Sequence, residues 1–531
     1  MLINYFCSLL LLFFTIDRNR HVVVNSFQLN NRLISRGDNN KAYSTQKSRN
    51  RNNKLRMVKE ENENDAVVLK QKKRRLSLEF VSIATPALIQ LAAEPLASLV
   101  DTAYLGRLGP EVLGGAGVAI AAHYSLSKLY NDPLLRTSIS LVATQDGKAR
   151  NSDTSTQEEI KKELSVSVSS ALVLAFCVGI IQLLVYSLFS NGIIRGMGIT
   201  PDNTMWYSAL SYLRIRALGT PAATLWLVTQ GIFRGLGNTR TPLVYSLIFT
   251  ALNAILDPIF IFTWGWGASG AAAGTALAQY IALVPLLLAL NRRVPIQIFG
   301  QLNQLGKSLK SYLKAGSFVL LRTVAKVWTY SICARHAALL GSVAAATYNL
   351  TFQLGFATTQ ICEAIAVAVQ TLLAREMADT TSHSRSVRSK LIQHLVSGSI
   401  IVGGGIAVLL SSVTFWQRHS VLKGLTTSME IQNLCKSIFP IVLMTQIAKG
   451  LCYPINGILM GKLDWTYSML TMWIANLSSI GYLYFFTPKT KSLTQIWTAL
   501  FLFMITQAVA GIGRIIYQNG NKEYNNNQKT N

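Results

Sequence analysis

From Leu76 onward, apolar runs long enough to cross a bilayer alternate with short polar connectors. A helix needs about 20 apolar residues to span the hydrocarbon core, and on that criterion the chain predicts about 12 spans. They fall at 78–105, 112–144, 161–190, 204–235, 241–264, 268–291, 312–340, 342–374, 390–415, 430–461, 464–486 and 493–516. Membrane strands are excluded, because the runs are too long and lack apolar/polar alternation.

Basic residues divide unevenly between the two sides. With residues 70–75 (KQKKRR) on side one, that side receives 24 Lys/Arg and the other receives seven. Such asymmetry orients membrane proteins and implies an even span count with both termini on the positive side. An internal repeat agrees. GIFRGLGNTRTPLVYS (231–246) aligns with GILMGKLDWTYSMLTM (457–472), matching Gly231 to Gly457 and Gly235 to Gly461. Arg107-Leu108-Gly109 and Leu339-Leu340-Gly341 are a looser pair. Two halves of six spans share one orientation, a parallel duplication found in transporters. The fold class expected is an all-α integral membrane protein of about 12 transmembrane helices in two six-helix bundles, 78–300 and 301–517. A disordered polar tail (518–531) is expected to follow.

The N-terminus reads as a leader. Met1–Ile16 is apolar but too short to span, which fits a signal peptide over 1–26. Residues 27–77 form a basic arm, and 27–57 are rich in Ser and Asn and nearly free of acid, as plastid transit peptides are. Together they resemble the bipartite leader of algae with secondary plastids of red origin. The expected location is the plastid envelope, with the plasma membrane or an endomembrane as the alternative.

Composition narrows the class. Of 531 residues, 50% are hydrophobic and 14% charged, against about 25% charged in soluble domains. The net charge of +26 would suggest nucleic acid, but the basic residues lie in the leader and connectors without a nucleic-acid-binding signature. The six cysteines show no C-x-x-C spacing and lie in apolar stretches, as packing residues do. The histidines lack metal-ligand spacing, and there is no H-E-x-x-H, P-loop or G-x-S-x-G. GWGASG (265–270) joins two spans outside any βαβ unit, so its match to a dinucleotide fingerprint is chance. An enzyme is not expected, and neither is a cofactor. The expected partners are a small organic solute and the bilayer, and the expected state is a monomer.

A charge at mid-bilayer costs roughly 2.5–3.5 kcal/mol on insertion scales, so ionisable residues inside spans are functional candidates. The first span holds Glu94 and Asp101 on one face, with Pro86 and Pro95 able to bend it. The fifth holds Asn253 and Asp257 one turn apart, directly before Pro258. The sixth opens with small residues that permit close helix approach and carries Thr275 and Gln279. Lys128, Asp132 and Arg136 form a self-neutralising stripe on the second span. Arg322 and Lys326 share a face of the seventh span, with Glu363 in the eighth as a partner, while Arg214 and Arg216 add positive charge. Excess positive charge at a central cavity favours an anionic substrate. Snorkelling or structural pairing is the alternative.

At these residues the chain resembles the MATE (multidrug and toxic compound extrusion) family. The motifs are PALI and VDTAYLGRLG within 86–109, GIFRGLGNTRTPL (231–243), LNAILDPIFIF (252–262) and GASGAAAGTALAQ (267–279). TFQL and EAIAVAVQTLLAR within 351–375 resemble the eighth helix of the DinF-like branch. The resemblance runs from about residue 78 to 517. It implies two six-helix bundles around a central cavity, alternating access, and efflux driven by inward H⁺ or Na⁺. It places the cation-coupling site, including any Na⁺, at Asp101, Asn253, Asp257 and Thr275. Substrate contacts are then expected at Arg322, Lys326, Glu94, Glu363 and Gln279. A second-half cation site is not expected, because the seventh span carries cations where other branches keep an acid. The rival functions are a lipid-headgroup flippase of the same superfamily and a membrane scaffold without transport.

The leader is testable by itself. Residues 1–57 fused to a fluorescent protein should deliver it to the plastid, as read by microscopy. Delivery to the secretory pathway alone would overturn the bipartite reading.

Overall fold

The computed structural model describes residues 69–91, 101, 104, 105, 107, 108, 110–149, 154–297, 302–340, 342–378, 385–425, 429–486 and 492–530. The leader up to residue 68, Glu94, Gly109 and Gly341 lie outside the described residues.

Helix α1 covers 69–91, and Asp101, Tyr104 and Leu105 are helical beyond it. Helices α2 (Pro110–Ala149) and α3 (Thr154–Gly196) follow. The fourth span is two helices, α4 (Trp206–Leu218) and α5 (Thr220–Gly235). Helix α6 (Arg240–Pro258) runs into a π turn (Ile259–Thr263), and α7 (Ala268–Arg293) completes the first half. The second half comprises α8 (Leu302–Leu339), α9 (Ser342–Ala378), α10 (Arg385–Trp416), the short α11 (Arg418–Leu425), α12 (Met429–Gly461), α13 (Trp465–Phe485) and α14 (Leu493–Thr530). Every predicted span falls on helix. Six of these helices are long and apolar enough to cross a membrane by length and composition. Large apolar side chains such as Phe176, Leu188, Val284 and Leu477 are exposed on their outer faces, as contact with lipid requires.

Three boundaries differ from the sequence reading. The fourth span breaks at Gly219, and Pro221 opens the next helix, where its missing N–H costs nothing. A Cβ at Gly219 would lie 2.6 Å from Arg216 Nη1 and 2.8 Å from Ala276 Cβ, so the break is also a close approach to α7. The first helix starts inside the arm predicted as disordered. Leu76, Phe80, Ile83 and Ala87 are buried at helical spacing, and this stripe packs on α9 and α10. The last helix continues to Thr530 through the predicted tail, because an established helix gains one hydrogen bond for each residue added.

The duplication is visible in packing. A Cβ on Gly231 or Gly235 would strike the carbonyl of Leu135 or Ile139 on α2. A Cβ on Gly457 or Gly461 would strike the carbonyl of Ala366 or Gln370 on α9. In each half the fourth span lies backbone to backbone against the second, which only glycine permits.

The cores show where the halves meet. At side one the apolar clusters cross between halves. Residues of α1 pack with α9, α10 and α12, and Tyr312 of α8 packs with α3, α5 and α7. Toward side two, the described clusters are separate. One draws on residues 105–272 of the first half, another on 333–500 of the second. The chain is therefore shut at side one.

Overpacking a tight contact typically costs about 1–3 kcal/mol. Gly235→Val should lower the thermal midpoint of the detergent-purified protein, because its side chain meets Ile139 and Val142. Gly405→Ala, with no atom within 4 Å, should leave it unchanged or slightly raised. Equal midpoints for the two variants would refute the close helix contact.

Candidate functional site

In the first half, α6 carries Asn253 and Asp257 on its buried face, at 2% and 0% exposure. Pro258 has no N–H for the Ala254 carbonyl, and the Tyr104 hydroxyl donates to that carbonyl at 3.5 Å. The helix then widens into the π turn, a local form often found at functional sites. The small residues of α7 set the depth of the site. Gly270 lies against the Phe260 backbone and Gly274 against the Asp257 carboxyl, where a Cβ would collide.

The Asp101 carboxyl stands against that of Asp257, close enough to share a proton, and Asn253 stands beside them. No hydrogen bond of ordinary geometry reaches either Asp257 oxygen or Asn253 Nδ2. Arg216 and Tyr212 of α4 face the acids from the other side. Arg216 is buried, and its Nη1 is also unpartnered. Two carboxyls and one guanidinium carry a formal charge of −1 among the described residues, which one monovalent cation balances. Orphaned acceptors with that charge deficit fit a bound proton or Na⁺. Thr275 follows Gly274 directly, but its hydroxyl donates to the Ala271 carbonyl of its own helix at 2.9 Å. Gln279, one turn on, is buried with an unpartnered Oε1.

A second cluster has the opposite sign and lies where the halves meet. Arg136 of α2 pairs with Asp132 at 3.2 Å and with Glu363 of α9 at 2.9 Å. Glu363 thus partners Arg136, whereas the sequence reading gave it to Arg322 and Lys326. Arg136, with the longer reach across the interface, wins that contact. Thr323 donates to the second Asp132 oxygen at 3.3 Å. Lys128, Arg322 and Lys326 all flank Asp132. Lys128 donates to the Tyr124 hydroxyl at 2.9 Å, and Arg322 Nε is buried without a partner. Four cations thus face two carboxylates among the described residues. Arg214 does not contribute. It is exposed and donates to Ser190 and Asn191 at 3.1 and 3.4 Å.

Sequence reasoning missed three participants. Arg216 belongs to the acid site, a placement foreshadowed by Tyr212, Leu213, Arg216 and Ala217 sharing a buried face. Lys449 of α12 is buried near Cys452, which Arg322 and Lys326 also flank. Nothing local in the sequence marks it. Arg375, at the side-one end of α9, reaches Glu79 at 3.1 Å, Asp146 at 2.8 Å and the Gly235 carbonyl at 3.2 Å. Its guanidinium occupies the space that a side chain on Gly237, at φ +67°, would need. All of these partners belong to the first half, so Arg375 ties the halves together.

Comparison with known proteins places this arrangement. The family model MatE matches residues 159–259 and 319–485. The chain is 35% identical over 445 residues to Protein DETOXIFICATION 44, chloroplastic, of Arabidopsis thaliana, covering 83% of this chain and 82% of that one. It is 32% identical over 454 residues to Protein DETOXIFICATION 45, chloroplastic, of the same plant, covering 83% and 79%. Among solved structures, the Vibrio cholerae MATE transporter VcmN in the bent form superposes with a TM-score of 0.73 at 17% identity, covering 86% of this chain and 99% of that one.

The side-one tie is testable. Ser140 is fully buried between halves, donating to the Met460 carbonyl and accepting from Gln370. In a Ser140→Cys background, adding Arg375→Gln should speed labelling by an impermeant maleimide applied from side one at least severalfold. An unchanged labelling rate would show that the ion pairs do not hold side one shut.

Proposed function

The chain belongs to the MATE family of membrane transporters, and we propose that it exports a small organic anion in exchange for H⁺ or Na⁺. The observation that carries this reading is the separation of two buried charge clusters of opposite sign. The Asp101–Asp257 pair, short of donors and one positive charge from neutrality, takes the coupling cation. Asn253 orients it, Arg216 limits the site to one monovalent cation, and Thr275 and Gln279 lie on the adjoining helix. The Lys128/Arg136/Arg322/Lys326 cluster at the interface takes the anion. Arg322, with a free Nε, is suited to a carboxylate.

The exchange follows from the same residues. Two carboxyls in contact in an apolar surround repel each other unless a cation lies between them. Binding that cation lets the end of the first span settle against the α6 break, where Tyr104 already holds the Ala254 carbonyl. Release lets it move away again. A ligand shifts a two-state carrier only by binding one state better. Arg136 and Glu363 join α2 to α9 across the interface, so an anion bound among these groups senses whether the halves are together.

The location follows from the leader composition and from relatives that are themselves named chloroplastic. The protein works in the plastid envelope, as a monomer, without a resident cofactor.

Proteoliposomes holding the full chain, tested with radiolabelled succinate and benzoate under imposed H⁺ or Na⁺ gradients, decide the matter. Wild type should move a carboxylate against a cation gradient, and Asp257→Asn should lose gradient-driven transport. Arg322→Gln should raise the apparent KM for the anion while sensitivity to the gradient persists. Full transport by Asp257→Asn, or a wild type that carries only organic cations, would overturn the reading.

A further inference from the structure

Inside the C-terminal bundle, α9, α10 and α12 enclose a pocket of about 240 Å³ lined by Leu354, Gly355, Ser411, Thr414, Leu443 and Gln446. Its polar groups lack partners. Gln446 is 3% exposed, and neither its Oε1 nor its Nε2 makes a hydrogen bond. Ser411, at 4% exposure, leaves its Oγ unpartnered as well. The amide fits there because residue 355 is glycine. A Cβ at that position would run into the Gln446 amide. One turn further along each helix, Lys449 donates to Thr359 at 3.3 Å and lies 5.8 Å from the Phe352 ring centroid. Lys449 is 5% exposed and forms no ion pair among the described residues. An ammonium, an amide and a hydroxyl thus converge on one enclosed space.

Burying these groups without partners is costly. An unmade hydrogen bond to a buried polar atom costs about 1–3 kcal/mol, and a buried charge costs more. Water can satisfy an amide or a hydroxyl, but it leaves the lysine charge uncompensated. A carboxylate satisfies all three, accepting from Lys449, Gln446 and Ser411 together.

We infer that Lys449, Gln446 and Ser411 form a carboxylate subsite within the C-terminal bundle, continuous with the cation cluster at the interface. Arg322, Lys326 and Lys449 all flank Cys452, which makes the two regions neighbours. This inference rests on the anion reading above and extends it. The transported carboxylate leaves the interface cluster and is held in the second half, while the coupling cation is held in the first.

The test uses the full chain in proteoliposomes with radiolabelled succinate and benzoate as probes. Lys449→Gln should raise the apparent KM for the transported probe tenfold or more, and Lys449→Arg should restore it to within about threefold. A purely structural lysine would not produce that split between KM and charge-conserving rescue. Independently, Ser411→Cys should be alkylated by a maleimide at least threefold more slowly when the transported probe is present at saturation. If wild type moves a carboxylate but Lys449→Gln keeps its KM, or Ser411→Cys labels at one rate with and without the probe, the subsite is refuted and the anion reading stands. If wild type moves neither probe and protects Ser411→Cys with neither, both fail together.

Discussion

A charge inside a bilayer must find compensation within the protein, because hydrocarbon offers none. That requirement accounts for where this chain keeps its buried ionisable groups. Arg136 is shared between Asp132 on its own helix and Glu363 on the facing half. Arg375 is shared among Glu79, Asp146 and a carbonyl. Both arrangements bind the halves to each other, and neither can form within one half. The outer faces, by contrast, carry Phe176, Leu188, Val284 and Leu477. The same energetic penalty therefore turns charge inward and makes the seam between the bundles the polar region of the molecule.

The places where compensation is incomplete are the places where a ligand has something to do. Asp257 has no donor, Arg322 keeps a free Nε, and Gln446 makes no bond with either amide atom. Elsewhere comparable groups are satisfied. Asn476 donates to the Ala325 carbonyl and to Thr329, both at 2.9 Å, and Gln370 donates to Ser140 and the Arg136 carbonyl. The contrast separates polar groups that hold the fold from those that wait for a partner. It also sorts them by sign, with acceptors orphaned in the first half and donors orphaned in the second.

Much of this was legible in the chain. The spans follow from apolar runs, and the duplication follows from glycines that recur after the fourth span of each half. The acid site was readable because Asp257 sits beside Pro258 in a motif, with Asn253 one turn away. What the sequence concealed depends on which helix faces meet. Arg214 and Arg216 differ by two residues, yet one reaches Ser190 in the open and the other is buried beside Asp101. Glu363 found Arg136 rather than Arg322, because α2 and α9 meet at that depth. Lys449 stands in an otherwise apolar helix with no local signal of its role. The break at Gly219 was hidden for a related reason. Gly-Thr-Pro can continue a span or end one, and the approach of Ala276 decides between them.

Close helix contact and the capacity to move come from the same residue types. Gly235 and Gly461 press helix backbones together at the side-one end of each half, where any side chain would force them apart. Such contacts make each half rigid. Flexibility is confined to Pro86 in the first span, the Gly219 break and the π turn after Pro258. At Pro86 the Thr239 hydroxyl takes the nearby Ile83 carbonyl, and at Pro258 Tyr104 takes Ala254, so each interruption is already satisfied by a side chain that can let go. Two of these interruptions, the Gly219 break and the π turn, adjoin the residues around Asp101 and Asp257. A cation arriving there acts on the few joints that bend, while the seam held by Arg136 and Arg375 is rigid and can only close or part as a unit. Coupling between two sites is reciprocal, so whatever a cation does to that seam, an anion bound across it must do to the cation's affinity. In this chain the reciprocity has a physical carrier, the first span, which packs on the second half at residues 76–88 and delivers Asp101 to the first.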